Sequence, residues 1–104
     1  MDRISQLRSF LLEHPEDPFL RHALAMEYIQ TNRDREARPL LEANICMEPP
    51  YPGSFYHLGK LLERSGEREQ ALETYLRGMM VTEASKDFHG RDELKTAWEA
   101  LNEP

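Results

Sequence analysis

One cysteine, Cys46, stands in 104 residues, so no internal disulfide can form. That suits a reducing compartment. No histidine neighbours Cys46 in sequence, and it reads as a structural or incidental thiol rather than a nucleophile. Positive charge is in deficit: 13 Lys and Arg face 19 Asp and Glu, for a net charge of −6. The basic residues are scattered beside acids, so the basic footprint that nucleic acid or an anionic membrane demands is missing. The opening Met1-Asp2-Arg3-Ile4-Ser5-Gln6 holds no apolar signal core, and no apolar run nears membrane-spanning length. The chain is therefore expected to be soluble and cytoplasmic, with neither nucleic acid nor membrane as a partner. There is no glycine-rich phosphate loop. The histidines His14, His22, His57 and His89 lie far apart, and none has a Cys or His at metal-ligand spacing. No enzyme, cofactor or metal is expected. The acidic cluster Glu13, Glu16 and Asp17 serves a helix start and its dipole. No strand alternation persists anywhere.

Apolar residues recur instead at helical spacing, and the breaks between runs divide the chain into six helices in one domain. The first is expected over 2–13, with Ile4, Leu7, Phe10 and Leu11 on one stripe. His14-Pro15-Glu16-Asp17-Pro18 ends it. Asp17 is a natural N-cap and Pro18 a natural first residue for the second helix, over 18–31. There Leu20, Leu24 and Tyr28 form one row beside Ala25, and Phe19, Ala23, Met26 and Ile29 form a second face. Asn32 suits a left-handed helix end, and Asp34 is expected to cap the third helix, over 35–47. Ala37, Leu40, Leu41 and Ile45 make its stripe, and Pro39 is expected to tilt its start. Glu48-Pro49-Pro50-Tyr51-Pro52-Gly53 is a connector. Ser54 is expected to cap the fourth helix, over 54–65, which carries Phe55, Leu58, Gly59 and Leu62. Gly59 costs about 1 kcal/mol against alanine unless a neighbour must approach there. Gly66 closes that helix. The fifth, over 67–84, carries Ala71, Leu72, Tyr75, Leu76 and Met79. Ser85 to Gly90 is expected as a break before the last helix, over 91–102, with Leu94, Ala97, Trp98 and Leu101.

Two of these helix pairs are one 34-residue unit written twice. Leu24, Ala25 and Tyr28 fall opposite Leu58, Gly59 and Leu62. Ala37 matches Ala71, Leu41 matches Tyr75, and Asn44 matches Gly78. Residues 52–85 carry Phe55 at an aromatic slot, then Leu58-Gly59, Leu62, Ala71, Tyr75 and Gly78. This pattern resembles the tetratricopeptide repeat. Residues 18–51 carry Leu24-Ala25, Tyr28, Ala37, Leu41 and the closing Pro49. They depart from it with Arg21 at the aromatic slot and Asn44 at the small slot. Glu83 replaces the closing proline of the second copy. The register extends back to Leu7 and Pro15, so residues 1–17 read as the second helix of a truncated repeat. Residues 86–104 read as a capping helix. The resemblance implies an all-α, right-handed solenoid of antiparallel helix pairs. Each pair buries part of its apolar surface and needs a stacked neighbour.

The resemblance also implies a function: a non-catalytic adaptor that holds a peptide or helix in a concave groove lined by the first helix of each repeat. By position, the groove residues are Phe19, His22, Met26, Ile29 and Gln30 from the first copy. From the second they are Tyr56, His57, Lys60, Glu63 and Arg64. A segment with an apolar anchor beside a charge suits that surface. The plainer alternative places Phe19, Met26 and Ile29 in core under the first helix. It leaves Lys60, Glu63 and Arg64 as solvated surface. Family members that grip a chaperone's C-terminal carboxylate use Lys, Asn and Arg positions. His22, Met26 and His57 stand there instead, and no third full repeat completes the clamp, so that ligand is not expected. The alternative function is self-association as a homodimer or larger assembly. Met79, Met80 and Val81 would supply the surface if Trp98 and Leu101 leave part of it uncovered.

Overall fold

The computed structural model describes residues 2–104. Six helices follow one another: α1 (Arg3–Glu13), α2 (Pro18–Gln30), α3 (Asp34–Ile45), α4 (Gly53–Arg64), α5 (Arg68–Ala84) and α6 (Phe88–Asn102). Among the described residues there is no strand. Each helix packs on the next, and α6 also reaches back to α4. The result is an elongated all-α stack of 44 × 29 × 19 Å. Among the described residues no helix is long and apolar enough to cross a membrane.

Local chemistry sets the helix ends. The Asp17 carboxylate accepts from the backbone N–H groups of Phe19 and Leu20 at 2.9 and 3.2 Å. It thereby satisfies two donors that α2 cannot pair internally. Asn32, Gly66 and Lys86 take left-handed backbone (φ 60°, 79° and 62°) just after α2, α4 and α5. Two expected caps and the start of the last helix shift, and α3 ends at Ile45 rather than at residue 47. Arg33 holds the cap position of α3 without a side-chain bond, and Asp34 is already helical. Its carboxylate instead receives Arg64. Ser54 does not cap α4; Gly53 begins that helix, and Ser54 is buried inside its first turn. The last helix starts at Phe88 rather than residue 91. Asp87 accepts from the Gly90 N–H at 3.0 Å, which holds residues 88–90 in the helix.

The core joins one row from every helix: Leu7, Leu24, Leu41, Phe55, Tyr75 and Leu94 are all buried. Small residues at the repeat's close-contact positions make the approach feasible. A Cβ on Gly59 would lie 2.1 Å from Tyr75 Cε1, so the tyrosine ring fills the space that alanine would take. The Tyr75 hydroxyl donates to the Glu63 carboxylate. Burial first, and then that carboxylate, raises the tyrosine pKa. Leu61 is as buried as the apolar row beside it, although it lies off the expected stripe. Phe10 was expected on the apolar stripe of α1, yet it is 50% exposed, because α1 has only α2 as a full neighbour.

The two departures from the repeat pattern meet in space. The Arg21 guanidinium donates to Asn44 Oδ1 at 3.4 Å and to the Pro15 carbonyl at 3.0 Å. Asn44 is fully buried and donates in turn to the Pro18 carbonyl (2.9 Å) and Ser54 Oγ (3.1 Å). No buried side-chain polar atom placed where the pattern expects a ring and a small residue is left without a partner among the described residues.

Candidate functional site

Helices α2, α4 and α6 each open a pair or close the stack, and their side chains meet on one face. His22 Nδ1 lies 2.9 Å from Ser54 Oγ, which ties α2 to the first turn of α4. The His22 ring lies 5.4 Å from the Tyr51 ring and 5.5 Å from the His57 ring, centroid to centroid. His57 in turn stands edge-on to Tyr56 at 5.3 Å. A continuous row of rings therefore runs from the connector across α2 and α4.

This row floors a cleft of about 270 Å³ that α6 closes on its far side. His22, Tyr56 and His57 line it from α2 and α4, and Asp87, Glu93 and Leu94 line it from the opposite wall. A second cleft of about 310 Å³ adjoins it, lined by Tyr56, His89, Asp92, Glu93 and Thr96. Tyr56 and Glu93 border both. Neither cleft has a lysine or arginine among its lining residues.

The electrostatics follow from burial. Desolvation lowers the pKa of both His22 and His57, with the neighbouring imidazole adding to the effect at His22. At His57, Arg64 lowers it further and Glu93 opposes. Both imidazoles are accordingly held neutral near pH 7 and do not offset the carboxylates of Asp87, Asp92 and Glu93. His89 Nε2 lies 3.2 Å from Glu93 at the exposed rim. The cleft is thus a ring-lined slot with a negative wall. Among the described residues, no three His, Cys, Asp or Glu side chains converge as metal ligands.

Of the ten residues expected in the groove, His22, Tyr56 and His57 come together in the cleft. Lys60 lies beside them, its Nζ 5.7 Å from the Tyr56 ring centroid and 3.8 Å from Glu63. Glu63 receives the Tyr75 hydroxyl. Arg64 is engaged with Asp34 at 2.9 and 3.1 Å, binding α4 to the start of α3. Phe19 belongs neither to the cleft nor to the core, with 64% of its surface exposed. Met26 is half-buried, Ile29 packs against the core, and Gln30 is exposed at the end of α2.

The sequence reading missed Tyr51, Ser54 and the whole α6 wall. Its signal lay in α6 itself. Asp92 and Glu93 directly precede the buried Leu94 on a helix read only for its apolar row. The histidine pair was hidden for a related reason: His22 and His57 are 35 residues apart, and only stacking of the two copies joins them.

No family profile matches this chain, and no curated protein does. Solved structures do. A solution NMR structure of a tetratricopeptide repeat domain protein from Salinibacter ruber shares 36% identity, with a TM-score of 0.79. The match covers 85% of this chain and 89% of that one. A crystal structure of a tetratricopeptide repeat domain protein from the same organism shares 35% identity at a TM-score of 0.78, over 82% and 94% of the two chains. The solution structure of a protein from Bordetella parapertussis overlays with a TM-score of 0.81 at 24% identity, over 97% and 88% of the chains, a likeness of fold.

Proposed function

The chain belongs to the tetratricopeptide repeat family, and from that premise we propose that it is a non-catalytic adaptor that holds a peptide segment of a partner protein on its concave face. One observation carries the reading: Tyr56 opens on two adjoining clefts that share the Glu93 carboxylate and have no cation in their lining. A lysine or arginine side chain suits that position. Its stem would lie along the rings, and its charge would meet Tyr56 and Glu93 together. We place the protein in the cytoplasm, where the exposed thiol of Cys46 would stay reduced.

A peptide array that compares basic, neutral and acidic segments tests the reading. Basic segments with an apolar neighbour should bind, and added salt should weaken them. Glu93→Lys should weaken binding about tenfold or more, since it puts like charges together. Tyr56→Ala, which removes the ring, should also lose affinity. Equal binding by wild type and both variants would remove the concave face as the site.

A further inference from the structure

The back of the molecule carries two grooves that the repeat register makes equivalent, and they differ in chemistry. One lies between α3 and α5 and has a volume of about 440 Å³. Its floor holds Leu58, and Glu42, Cys46, Glu73 and Thr74 line it. The other lies between α1 and α3, where two adjoining cavities of about 320 and 490 Å³ share Arg8, Leu24 and Leu40. Thirty-four residues separate each pair of corresponding positions. Leu24 stands for Leu58, so the floor is kept. The rim is not: Arg8 replaces Glu42, Leu12 replaces Cys46, Pro39 replaces Glu73 and Leu40 replaces Thr74.

The α3–α5 groove is also strapped. Arg38 reaches Glu67 at 2.7 and 3.2 Å and Glu42 at 3.1 Å. The matching positions near the other groove are Ile4, Arg33 and Arg8, which cannot form that strap. The same solenoid geometry is therefore built with a strapped groove rimmed by polar side chains at one level and, at the next, an unstrapped groove that is apolar at its Leu11, Leu12 and Leu40 end. Folding does not require the apolar version. Leu12, with 86% of its surface exposed, is its most exposed apolar residue. Arg8 and Arg35 border the groove and meet no carboxylate among the described residues.

A complementary surface exists on this same chain. Glu69, Glu73, Leu76, Met80 and Glu83 fall at alternating spacings of four and three on α5, which puts them on one face. All five are exposed, Leu76 by 43% and Met80 by 72%. Thirty-four residues earlier, α3 has Glu42 and Cys46 in place of Leu76 and Met80. The second copy of the repeat has thus acquired an outward apolar pair between glutamates. The first acquired an apolar groove between arginines. We propose that α5 of one molecule docks in the α1–α3 groove of another. Leu76 and Met80 lie on Leu12 and Leu40, and Glu69 and Glu73 face Arg8 and Arg35. The two surfaces are different patches, so the contact is head-to-tail and each added copy leaves a free groove and a free stripe. A string of copies would offer several concave faces to one partner.

Sedimentation equilibrium on the purified chain decides it. The wild-type mass should rise with concentration up to about 1 mM, pass that of a dimer, and fall when salt is added. Leu12→Asp removes the groove and Met80→Asp removes the stripe; each alone should be a monomer. Both sites are exposed, and circular dichroism melts should match wild type. Should either variant melt early, Arg8→Glu blocks the groove and Leu76→Asp blocks the stripe, and neither blocked face suits the other. Mixing the two blocked variants should give a heterodimer and nothing larger, since each retains the face the other lacks. A wild-type monomer at every concentration overturns the proposal. So does a dimer that neither substitution breaks, or a mixture that stays monomeric. A monomer whose groove takes an added acidic peptide, with binding lost in Leu12→Asp, assigns the groove to a foreign partner and equally overturns it. Tyr56→Ala should leave the mass unchanged, which separates this contact from the concave face.

Discussion

The two copies of the repeat solve one packing problem in two ways. In the second, the Phe55 ring lies against Gly78, where an added Cβ would come within 2.7 Å of the Phe55 Cβ. In the first, Arg21 and Asn44 occupy the same two slots and join by a hydrogen bond. Both helix pairs pack despite the exchange. A repeat register therefore constrains how much volume sits at a contact and where, but not its polarity. A ring against a glycine gains stability from burial of apolar area. A guanidinium against an amide must instead satisfy every donor and acceptor it brings inside, and here Pro15, Glu16, Pro18 and Ser54 complete the set.

Breaking each lock should expose the difference. Phe55→Ala should cost about 3–5 kcal/mol in urea unfolding, since it empties a fully buried ring site. Arg21→Ala should cost less, about 1–3 kcal/mol, because what remains is an underpaired Asn44 rather than a cavity. Converting the first lock to the second is the sharper test. Arg21→Phe and Asn44→Gly should each destabilise alone, and the double variant should recover part of the loss. A coupling of about 0.5–3 kcal/mol in the double-mutant cycle is expected. Simple additivity would mean that the two slots are not one contact.

A similar contrast holds at the small position of the first helices. Ala25 in the first copy is fully buried, with Leu41 at the position that matches Tyr75, while Gly59 in the second admits the Tyr75 ring. Gly59→Ala gains helix propensity of about 1 kcal/mol. It must nevertheless push the ring away and strain its bond to Glu63. Overpacking of about 1–3 kcal/mol should outweigh the gain. A measured stabilisation would show that the ring has room to move.

Most of the architecture was legible because the repeat leaves its mark in both period and residue type. Leu24, Ala25, Leu58, Gly59 and Tyr75 all sit where the register puts them. The helix ends were harder. Asp34 looks like a cap, but an arginine 30 residues later claims its carboxylate. Ser54 also looks like a cap, and a buried asparagine and a histidine claim its hydroxyl. Such competition from distant chain has no local signature. The site was half legible for the same reason. Position in the repeat gave His22, Tyr56 and His57. The facing wall came from a helix outside the register, where no positional rule applies. Phe19 is the opposite case: its position in the repeat implies a groove residue, and it stands 64% exposed outside the cleft.

The smallest effect sits at the junction of the two copies, where each contributes one imidazole. His22 and His57 are half-buried, and their pKa values are lowered in the folded chain from an ordinary 6.5. The unfolded chain therefore binds protons first as pH falls. Whatever stability the neutral pair contributes is present above 6.5 and is lost as pH drops through the folded values. Glu93 limits the effect by favouring protonated His57, and Arg64 enlarges it. His22→Asn keeps a short polar group toward Ser54 but cannot titrate. Thermal melts across this range should show wild type losing stability on acidification more steeply than His22→Asn, with the two converging at neutral pH relative to their own maxima. Parallel profiles would mean that the carboxylates alone set the acid limb and that the imidazole pair is protonated without cost. Folding, in that case, would not depend on the junction's neutrality, and the negative wall of the cleft would be partly offset by His22 in mildly acidic solution. Affinity for a basic segment should then weaken with acidification more in wild type than in His22→Asn, where His57 alone of the pair titrates, a difference that a titration at two pH values reads directly.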